Sequence, residues 1–379
     1  MNHHRGGRQK GAGEKGAMSD RFARLLCGPA VTSHVPWTFP HSVATRGSHG
    51  QNCRNITTFM HTGNDAIPTR TAVRITTVTS EQAGRRLDNF LLGIFRGAPR
   101  SLVYKLVRSG QVRVNGRRAR PELRLEAGDE VRLPPVEAGG DSAPIPHARQ
   151  DALRERIVHE DAQFVVVDKP AGLACHAGSG LRYGVIEILR AARPDLSRLD
   201  LAHRLDRDTS GCLVLCKTLD SLRAVQAALQ DRRSTKRYIA LLRGNLPTDL
   251  DSIEARLDIA RDDRGERRTR VAAAGKSSRT DIEHCAVLGP HSLVTLRLGT
   301  GRMHQIRAHA RHIGHPVAGD AAYGDAAFNA EMTRFGLDRL FLHAAHIVLD
   351  TDCGVLDVRS PLPPDLTTVL SRLETAARA

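Results

Sequence analysis

Apolar residues follow a helical spacing in the stretch that begins near residue 73. Positions three or four apart share one helix face, and the first such set is Leu87, Phe90, Leu91 and Ile94. A second set follows Pro99, has Ser101 as a suitable N-cap and Gly110 as a stop signal, and consists of Leu102, Val103, Leu106 and Val107. The pattern therefore predicts two short helices in succession.

The pattern then changes to that of strands. Residues 111–116 combine alternating apolar positions with a final Asn-Gly pair, which is typical of a strand that enters a tight turn. Residues 129–133 are suited to a return strand. We therefore predict a small domain over residues 73–133, built from two helices followed by a basic hairpin.

The rest of the chain combines strand and helix patterns. A run of apolar residues at 164–167 suits a buried strand, as does 213–215, and residues 294–298 alternate in polarity. Residues 222–229 have helical spacing. We predict a second domain over residues 151–379, of the α+β class, with a mixed, largely antiparallel sheet.

Two segments lack such periodicity. Residues 1–70 are rich in Gly, His, Ser and Thr, and we expect this extension to be mostly disordered. Residues 134–150 include four prolines and two glycines, which indicates a linker between the two domains.

Basic residues are concentrated in the first third of the chain, which has a formal net charge of +15 overall. Residues 71–135 carry thirteen Lys and Arg against six Asp and Glu, and eight basic residues between 96 and 120 occur without an acidic one. A solvated surface is the plain explanation. Such a dense basic stretch more often neutralises phosphates, so we expect a nucleic-acid partner.

The composition also limits the compartment. No apolar run approaches the roughly 20 residues that a membrane-spanning helix needs. Seven cysteines occur without a Cys-x-x-Cys pair, and no secretory signal pattern is present. We therefore expect a reduced, cytoplasmic protein with no membrane partner.

The predicted small domain resembles the S4 family, an RNA-binding module. The resemblance lies in residues 86–91, in Ser101, Lys105 and 108–110, and in 112–116. It implies that the module binds structured RNA. Lys105 and Arg108 fall on the helix face opposite the apolar stripe, and with Arg113 of the hairpin they are the predicted RNA-binding residues of this domain.

Several classes of chemistry lack their motifs. The chain has no phosphate-binding loop of the Walker type, no dinucleotide fingerprint after a strand and no Gly-x-Ser-x-Gly elbow. The stretch 304–315 contains four histidines, and His309 and His312 have a spacing suited to zinc. Because Arg307 and Arg311 are interleaved there, packed or RNA-facing histidines are the better interpretation, and we expect no metal.

Residues 202–211 are the strongest candidate for chemistry. Asp206 lies between two arginines, and Asp208 follows the second of them, in a short loop that ends in glycine. One carboxylate could therefore be a nucleophile or a base that neighbouring cations keep ionised. A structural ion-pair loop is the alternative. Spacing alone does not distinguish the two carboxylates.

The same loop resembles the RluA-type pseudouridine synthases, which carry His-Arg-Leu-Asp followed by Thr-Ser-Gly, here 203–206 and 209–211. Further stretches match the family in order, namely residues 168–173, 236–238, 301–309, 314–316, 319–324 and 340–344. Within the family the chain resembles the RluC-type enzymes of large-subunit ribosomal RNA, through 184–187, 193–194 and 207–208. The RluD-type enzymes share many of these residues.

The resemblance implies a catalytic domain with a central cleft and assigns four residues. Asp206 is the essential carboxylate, and either attack on the ribose or removal of a sugar proton is open to it. Arg307 pairs with Asp206, and Tyr238 offers a flat face to the flipped base. Arg204 binds RNA, either in the gap left by the base or at a phosphate.

The implied reaction is the isomerisation of specific uridines to pseudouridine, which requires no cofactor. The expected partner is ribosomal RNA, and we expect a monomer. Two other classes compete with this interpretation: an RNA-binding assembly factor without catalysis and a metal-dependent RNA hydrolase. Asp206 beside 209–211 argues against the first, and the arginines around the histidines argue against the second.

Overall fold

The structure is a computed structural model that describes residues 73–95, 100–135, 145–178, 181–196, 198–231, 233–263 and 265–379. The predicted disordered extension, residues 1–70, lies outside the described residues. So does most of the predicted linker, residues 136–144. We call residues 73–135 the basic module and residues 145–379 the large domain.

The basic module packs two helices on a small antiparallel sheet. Its helices are α1 (Leu87–Ile94) and α2 (Arg100–Arg108), which confirms both predicted helices. Its strands are β1 (Arg74–Thr77), β2 (Arg113–Val114), β3 (Arg117–Arg118) and β4 (Glu130–Leu133), in the order β1-β4-β2-β3. The predicted return strand does pair with β2. The tight turn at Asn115 and Gly116, both with positive φ, adds β3 to the hairpin.

The apolar stripes of both helices form the core of this module. Leu87, Phe90 and Leu91 of α1 are buried together with the stripe of α2 and the inward residues of β2 and β4. Full burial of each such side chain stabilises the fold by about 1.5–3 kcal/mol relative to exposure. Lys105 and Arg108 of α2 and Arg113 of β2 are therefore left on the outer surface.

The large domain contains one extended sheet and six described helices. Its strands are β5 (Ile157–Glu160), β6 (Phe164–Lys169), β7 (Asp200–Leu201), β8 (Ser210–Cys216), β9 (Ser234–Arg243), β10 (Ser252–Arg261), β11 (Arg267–Val271), β12 (Lys276–Leu288), β13 (His291–Leu298), β14 (Leu342–Thr351) and β15 (Gly354–Arg359). Its helices are α3 (His147–Arg154), which begins within the predicted linker, α4 (Val185–Ala192), α5 (Leu219–Gln230), α6 (Gln305–His312), α7 (Ala326–Arg334) and α8 (Pro364–Arg378).

The strand order is β11-β10-β12-β13-β9-β14-β8-β6-β5, with β15 beside β14 and β7 beside β8. Among the described strands, β14 and β8 pair in parallel and the other neighbours are antiparallel. The predicted mixed, largely antiparallel sheet is confirmed.

Helices cover both faces of this sheet, so alternate residues of a strand enter different cores. On β9, Tyr238 and Ala240 pack on the side of α4 and α6, whereas Ile239 and Leu241 pack on the side of α7 and α8. Residues of β6 and β8 that face the second side pack against α5. This alternation decides which strand residues face α4 and α6 and which face α7 and α8.

A close backbone approach at the centre of the sheet requires glycine. Gly211 has φ +110°, and a Cβ atom there would lie 2.2 Å from the carbonyl oxygen of Ala344. The preceding Ser210 forms a 2.9 Å hydrogen bond with Nδ1 of His343, whose Nε2 lies 3.0 Å from the carbonyl of Ser360. The stretches 209–211 and 340–344 therefore meet where β8 and β14 pair.

Candidate active site

A cleft of about 1370 Å³ opens on the side of the sheet that α4 and α6 cover. Its lining includes Asp206, Tyr238 and Arg307, so the structure brings the three predicted catalytic residues to one cavity. Arg204 lines the same cavity, and so do residues of the basic module such as Arg85 and Asn89. Arg85 forms a 3.1 Å ion pair with Asp200 across the two domains.

The loop that carries Asp206 joins β7 to β8, and the side chain of a buried lysine holds its backbone in place through hydrogen bonds. Nζ of Lys169 donates to the carbonyl oxygens of Pro170, Leu173 and Arg207 at 2.8–2.9 Å. Burial lowers the pKa of Lys169 to about 8, which still leaves the ammonium group protonated at neutral pH. Three carbonyls therefore share one cation, and the backbone beside Asp206 is fixed.

The side of the loop that precedes Asp206 is fixed by two further contacts. The backbone N–H of Leu205 donates to Sγ of Cys175, and that thiol donates to the carbonyl of Leu205 at 3.2 Å. Nε2 of His203 accepts from the backbone N–H of Val214 at 3.2 Å. Asp206 thus extends from a backbone that is held on both sides.

Asp206 and Asp208 have different surroundings. Oδ2 of Asp206 lies 3.5 Å from Nη1 of Arg307, and its side chain is 24% exposed within the cleft. Asp208 pairs at 3.1 Å with its neighbour Arg207, which is itself well exposed, and is 41% exposed. The carboxylate that faces the cavity is that of Asp206.

The main partner of Arg307 is a residue to which the sequence alone had assigned no role. Asp320 accepts from both Nε and Nη2 of Arg307 at 2.7 Å, and the two side chains are only 0% and 7% exposed. The same carboxylate also accepts from the backbone N–H groups of Ala322 and Tyr323. Asp320 thus orients the guanidinium, and Nη1 alone is directed at Asp206.

Each charge of this pair supports the other. Burial opposes the ionised form of Asp320, but the hydrogen bonds and the charge of Arg307, together with the backbone N–H groups of Tyr323 and Ala322, lower the pKa of that carboxyl below its usual value. Burial likewise opposes the charge of Arg307, and the bonds from Asp320 raise its pKa above the ordinary value. The site therefore contains a permanent cation beside Asp206.

Comparison with known proteins identifies the family of the chain. The sequence profile of the RNA pseudouridylate synthase family matches residues 163–312, and that of the S4 domain matches residues 85–131. The chain is 42% identical over 313 residues to ribosomal large subunit pseudouridine synthase C of Escherichia coli strain K12, which covers 80% of this chain and 98% of the relative. The chain belongs to the RNA pseudouridylate synthase family.

A second relative by sequence gives the same family. The Haemophilus influenzae protein named ribosomal large subunit pseudouridine synthase C is 44% identical over 281 residues, which cover 73% of this chain and 87% of that protein. Among solved structures, human RNA pseudouridylate synthase domain containing 4 is 25% identical, covers 60% of this chain and 95% of its own, and has a TM-score of 0.49. The predicted resemblance and the isomerase class are confirmed.

Tyr238 of the synthase lies on β9 with its ring against the cleft, and it is almost fully buried. Burial raises the pKa of its hydroxyl, and the charge of Asp206 raises it further. The phenol is therefore protonated at neutral pH, and Tyr238 lines the cavity as an uncharged side chain. Arg204, two residues before Asp206, is exposed on the loop at the rim.

In the histidine-rich stretch of the synthase, His309 is held by contacts within the protein. Both ring nitrogens of His309 are hydrogen-bonded, to Ser278 Oγ at 2.8 Å and Thr280 Oγ1 at 3.0 Å. Burial lowers the pKa of His309 to about 4, so the ring is neutral. Among the described residues no group of three or more His, Cys, Asp and Glu could hold a metal ion.

The basic module of the synthase presents its predicted RNA-binding residues outward. Lys105 and Arg108 are exposed on α2, and Arg113 is exposed on β2. Arg117 and Arg118 on β3 extend the same basic surface. Within the described ranges no helix is long and apolar enough to cross a membrane.

Proposed function

We propose that this synthase isomerises uridines in large-subunit ribosomal RNA, acting as a monomer in the cytoplasm. Two relatives that are named for the ribosomal large subunit align with this chain over 87% and 98% of their own length, and this supports the substrate. The basic surface of the module beside the cleft also supports an RNA of extended size.

In the proposed reaction Asp206 is the catalytic carboxylate. The bond between C1′ and N1 of uridine breaks, the uracil turns, and a bond from C1′ to C5 forms while the C5 proton is lost and N1 gains one. Asp206 either attacks C1′ or removes a sugar proton, and both routes require the ionised carboxylate. The observation that carries this proposal is the position of Asp206 in the cleft, beside the Arg307–Asp320 pair.

Arg307 stabilises that carboxylate without neutralising it completely. Two of its nitrogens donate to Asp320, and the 3.5 Å contact from Nη1 is longer than a strong charge-assisted bond. A loosely bound carboxylate keeps the nucleophilic or basic character that the reaction needs. The cation nevertheless offsets the negative charge of Asp206 when the RNA excludes water from the cleft.

Tyr238 and Arg204 bind the two sides of the displaced nucleotide. The uracil has to leave its stack to reach Asp206, and the buried ring of Tyr238 offers a surface for it. The hydroxyl of Tyr238 would lie near the carbon that loses its proton. The exposed Arg204 would fill the gap in the RNA or bind a phosphate at the rim.

The basic module supplies affinity in this proposal, through Lys105, Arg108 and Arg113. The reaction is balanced in atoms and electrons without a redox partner or a phosphoryl donor, and we therefore include no metal and no cofactor in it.

The test is direct. Large-subunit ribosomal RNA lacking pseudouridine is incubated with the purified protein and with Asp206→Asn, and modified positions are mapped. We expect one or a few uridines to become pseudouridine with the unaltered protein alone. Pseudouridine in another RNA class, with none in the large-subunit RNA, would overturn the substrate. Equal modification by Asp206→Asn would overturn the residue assignment.

A further inference from the structure

His304 adopts an unusual backbone conformation directly before α6. Its φ is +50° and its ψ is +26°, and among the described non-glycine residues only Asn115 shares a positive φ. A left-handed conformation is disfavoured for most side chains and occurs more readily for Asn. The following Gln305 fixes this corner through bonds to Arg279 and Thr280 on the neighbouring strand. Strain of this kind directs attention to the side chain that it positions.

The side chain of His304 ends a chain of hydrogen bonds that starts at the sheet edge. The backbone N–H of Thr269 on β11 donates to the hydroxyl oxygen of Tyr323 at 2.7 Å. That hydroxyl lies 2.9 Å from Nδ1 of His304. The hydroxyl of Thr269 is directed elsewhere, to the carbonyl of Met303. Because the Tyr323 oxygen already accepts from Thr269, we assign the Tyr323 proton to the bond with His304, so that Nδ1 is the acceptor.

This arrangement selects one tautomer of the imidazole. When Nδ1 accepts, the ring proton of a neutral histidine is on Nε2. Burial lowers the pKa of His304, against the attraction of Asp206, so the ring is neutral at physiological pH. Nε2 lies 3.9 Å from Oδ1 of Asp206. Nε2 of His304 and Nη1 of Arg307 thus lie nearest to different oxygens of the Asp206 carboxylate.

Arg307 alone cannot fix the plane of the Asp206 carboxylate. Asp320 occupies two of its nitrogens, and one contact to one oxygen leaves the carboxylate free to turn about its own axis. A second donor at the other oxygen removes that freedom. The distance of 3.9 Å exceeds a hydrogen bond by about 1 Å, which a small rotation of either side chain closes when RNA fills the cleft.

We propose that His304 is a positioning residue: its Nε2–H donates to Oδ1 of Asp206 in the RNA-bound enzyme, and Tyr323 holds it in the tautomer that can do so. The proposal rests on the role proposed above for Asp206. Thr269, Tyr323, His304 and Asp206 then form one path from the edge strand β11 to the reacting carboxylate.

Two substitutions of His304 separate this role from a structural one. The amide nitrogen of Gln reaches the place of Nε2, whereas the shorter Asn reaches only the place of Nδ1. If the role of His304 is only structural, Asn should be the better replacement, because Asn tolerates the left-handed conformation better than Gln. If the hydrogen bond from Nε2 matters, Gln should be the better replacement. Single-turnover rates on saturating ribosomal RNA, RNA affinity and thermal unfolding are measured for both variants.

We expect His304→Asn to slow the single-turnover rate by about 10- to 100-fold, as expected for the loss of a hydrogen bond to a charged group, with RNA affinity unchanged. His304→Gln should recover most of that rate even where its thermal stability is lower. A His304→Asn enzyme as fast as the unaltered one, or faster than His304→Gln, would overturn the proposal.

Tyr323→Phe provides a second, independent variant that keeps the ring 4.9 Å from the guanidinium of Arg307. It removes the proton that fixes the tautomer, so it should slow the reaction in the presence of His304 and cause little further slowing in His304→Asn. If the rate losses of Tyr323→Phe and His304→Asn add in the double variant, Tyr323 does not act through His304, and the proposed path is wrong. Asp206→Asn is measured alongside: if it stays active, the proposed catalytic residue is wrong, whereas an inactive Asp206→Asn with a fast His304→Asn contradicts only the positioning role.

Discussion

The basic module and the catalytic cleft both depend on arginine and lysine, but they place these cations in opposite surroundings. In the described residues, Lys105, Arg108 and Arg113 are exposed, and no ion pair joins them to a described carboxylate. Arg307 is buried, and Asp320 engages two of its nitrogens. An exposed cation that no carboxylate neutralises is available to phosphates, whereas a buried and paired one is a fixed element of the site.

The difference predicts which measurement each region affects. Exposed cations act through screened, long-range attraction, so their loss changes RNA affinity and its dependence on salt. Paired and buried cations act through geometry, so their loss changes turnover and stability. Five variants or treatments test this division, and they follow from the largest expected effect to none.

Asp206→Asn should reduce turnover by about a thousandfold or more, as the removal of an essential catalytic group does in other enzymes, while RNA binding persists. The isosteric change removes the charge that faces the cleft. Asp208→Asn is the matched control from the same loop, and because Asp208 pairs with the exposed Arg207 it should keep substantial activity. Tritium release from C5-labelled uridine in RNA measures both. An indispensable Asp208 with a dispensable Asp206 would reverse the assignment.

Arg307→Lys should impair turnover although it keeps the charge, because one ammonium cannot replace a guanidinium that donates to Asp320 and Asp206 together. Arg307→Ala should be worse, because it removes the cation that lies 3.5 Å from the Asp206 carboxylate. Arg311→Lys on the exposed side of α6 is the control. Full activity of Arg307→Ala in the tritium-release assay would contradict the contact with Asp206.

Asp320→Asn should lower the free energy of unfolding by about 3–5 kcal/mol, the usual cost of breaking a buried ion pair. The pKa of Asp320 is lowered in the folded protein. The contribution of the pair is therefore complete above the unfolded pKa of about 4 and is lost as the pH falls through the lower folded value. Urea unfolding from pH 3 to pH 7 should show a shallower acid loss for Asp320→Asn. Identical pH profiles would remove Asp320 from this role.

Neutralising Lys105, Arg108 and Arg113 to Gln should weaken RNA binding and reduce the log–log salt slope by up to about one per lost phosphate contact. Turnover on saturating RNA should change far less. The matched control replaces three exposed basic residues of the large domain that do not line the cleft, Lys276, Arg334 and Arg378. Equal affinities and slopes for both triple variants would show that the module does not bind this RNA.

Removal of metal ions should have no effect. Both ring nitrogens of His309 already bond to hydroxyls, so His309 has no free ligand atom to share with His312, the histidine at a spacing suited to zinc. EDTA-treated protein should release tritium at an undiminished rate. Activity that is lost on treatment and restored by zinc would favour metal-dependent chemistry.

Local pattern was sufficient for the two helices of the basic module and for its strands β2 and β4. The helical spacing at Leu87, Phe90 and Leu91 predicted α1, because an amphipathic helix shows its buried face in the sequence. The same argument placed Lys105 and Arg108 on the outer face of α2, where the structure finds them exposed. The strand β3 was missed, because two residues after a tight turn carry too little pattern to detect.

The cleft shows the limit of such reasoning. The chain itself determined that one short loop carries carboxylates among arginines, and its resemblance to a family favoured Asp206. Only the tertiary structure decided that Asp206 faces the cavity while Asp208 faces solvent, and that Arg307 bonds first to Asp320. It also connected Thr269, Tyr323 and His304 by hydrogen bonds, although Thr269 and Tyr323 are 54 positions apart in the sequence. Periodicity reports which residues are buried, but the partner of a buried polar group comes from another element, and only packing brings the two together.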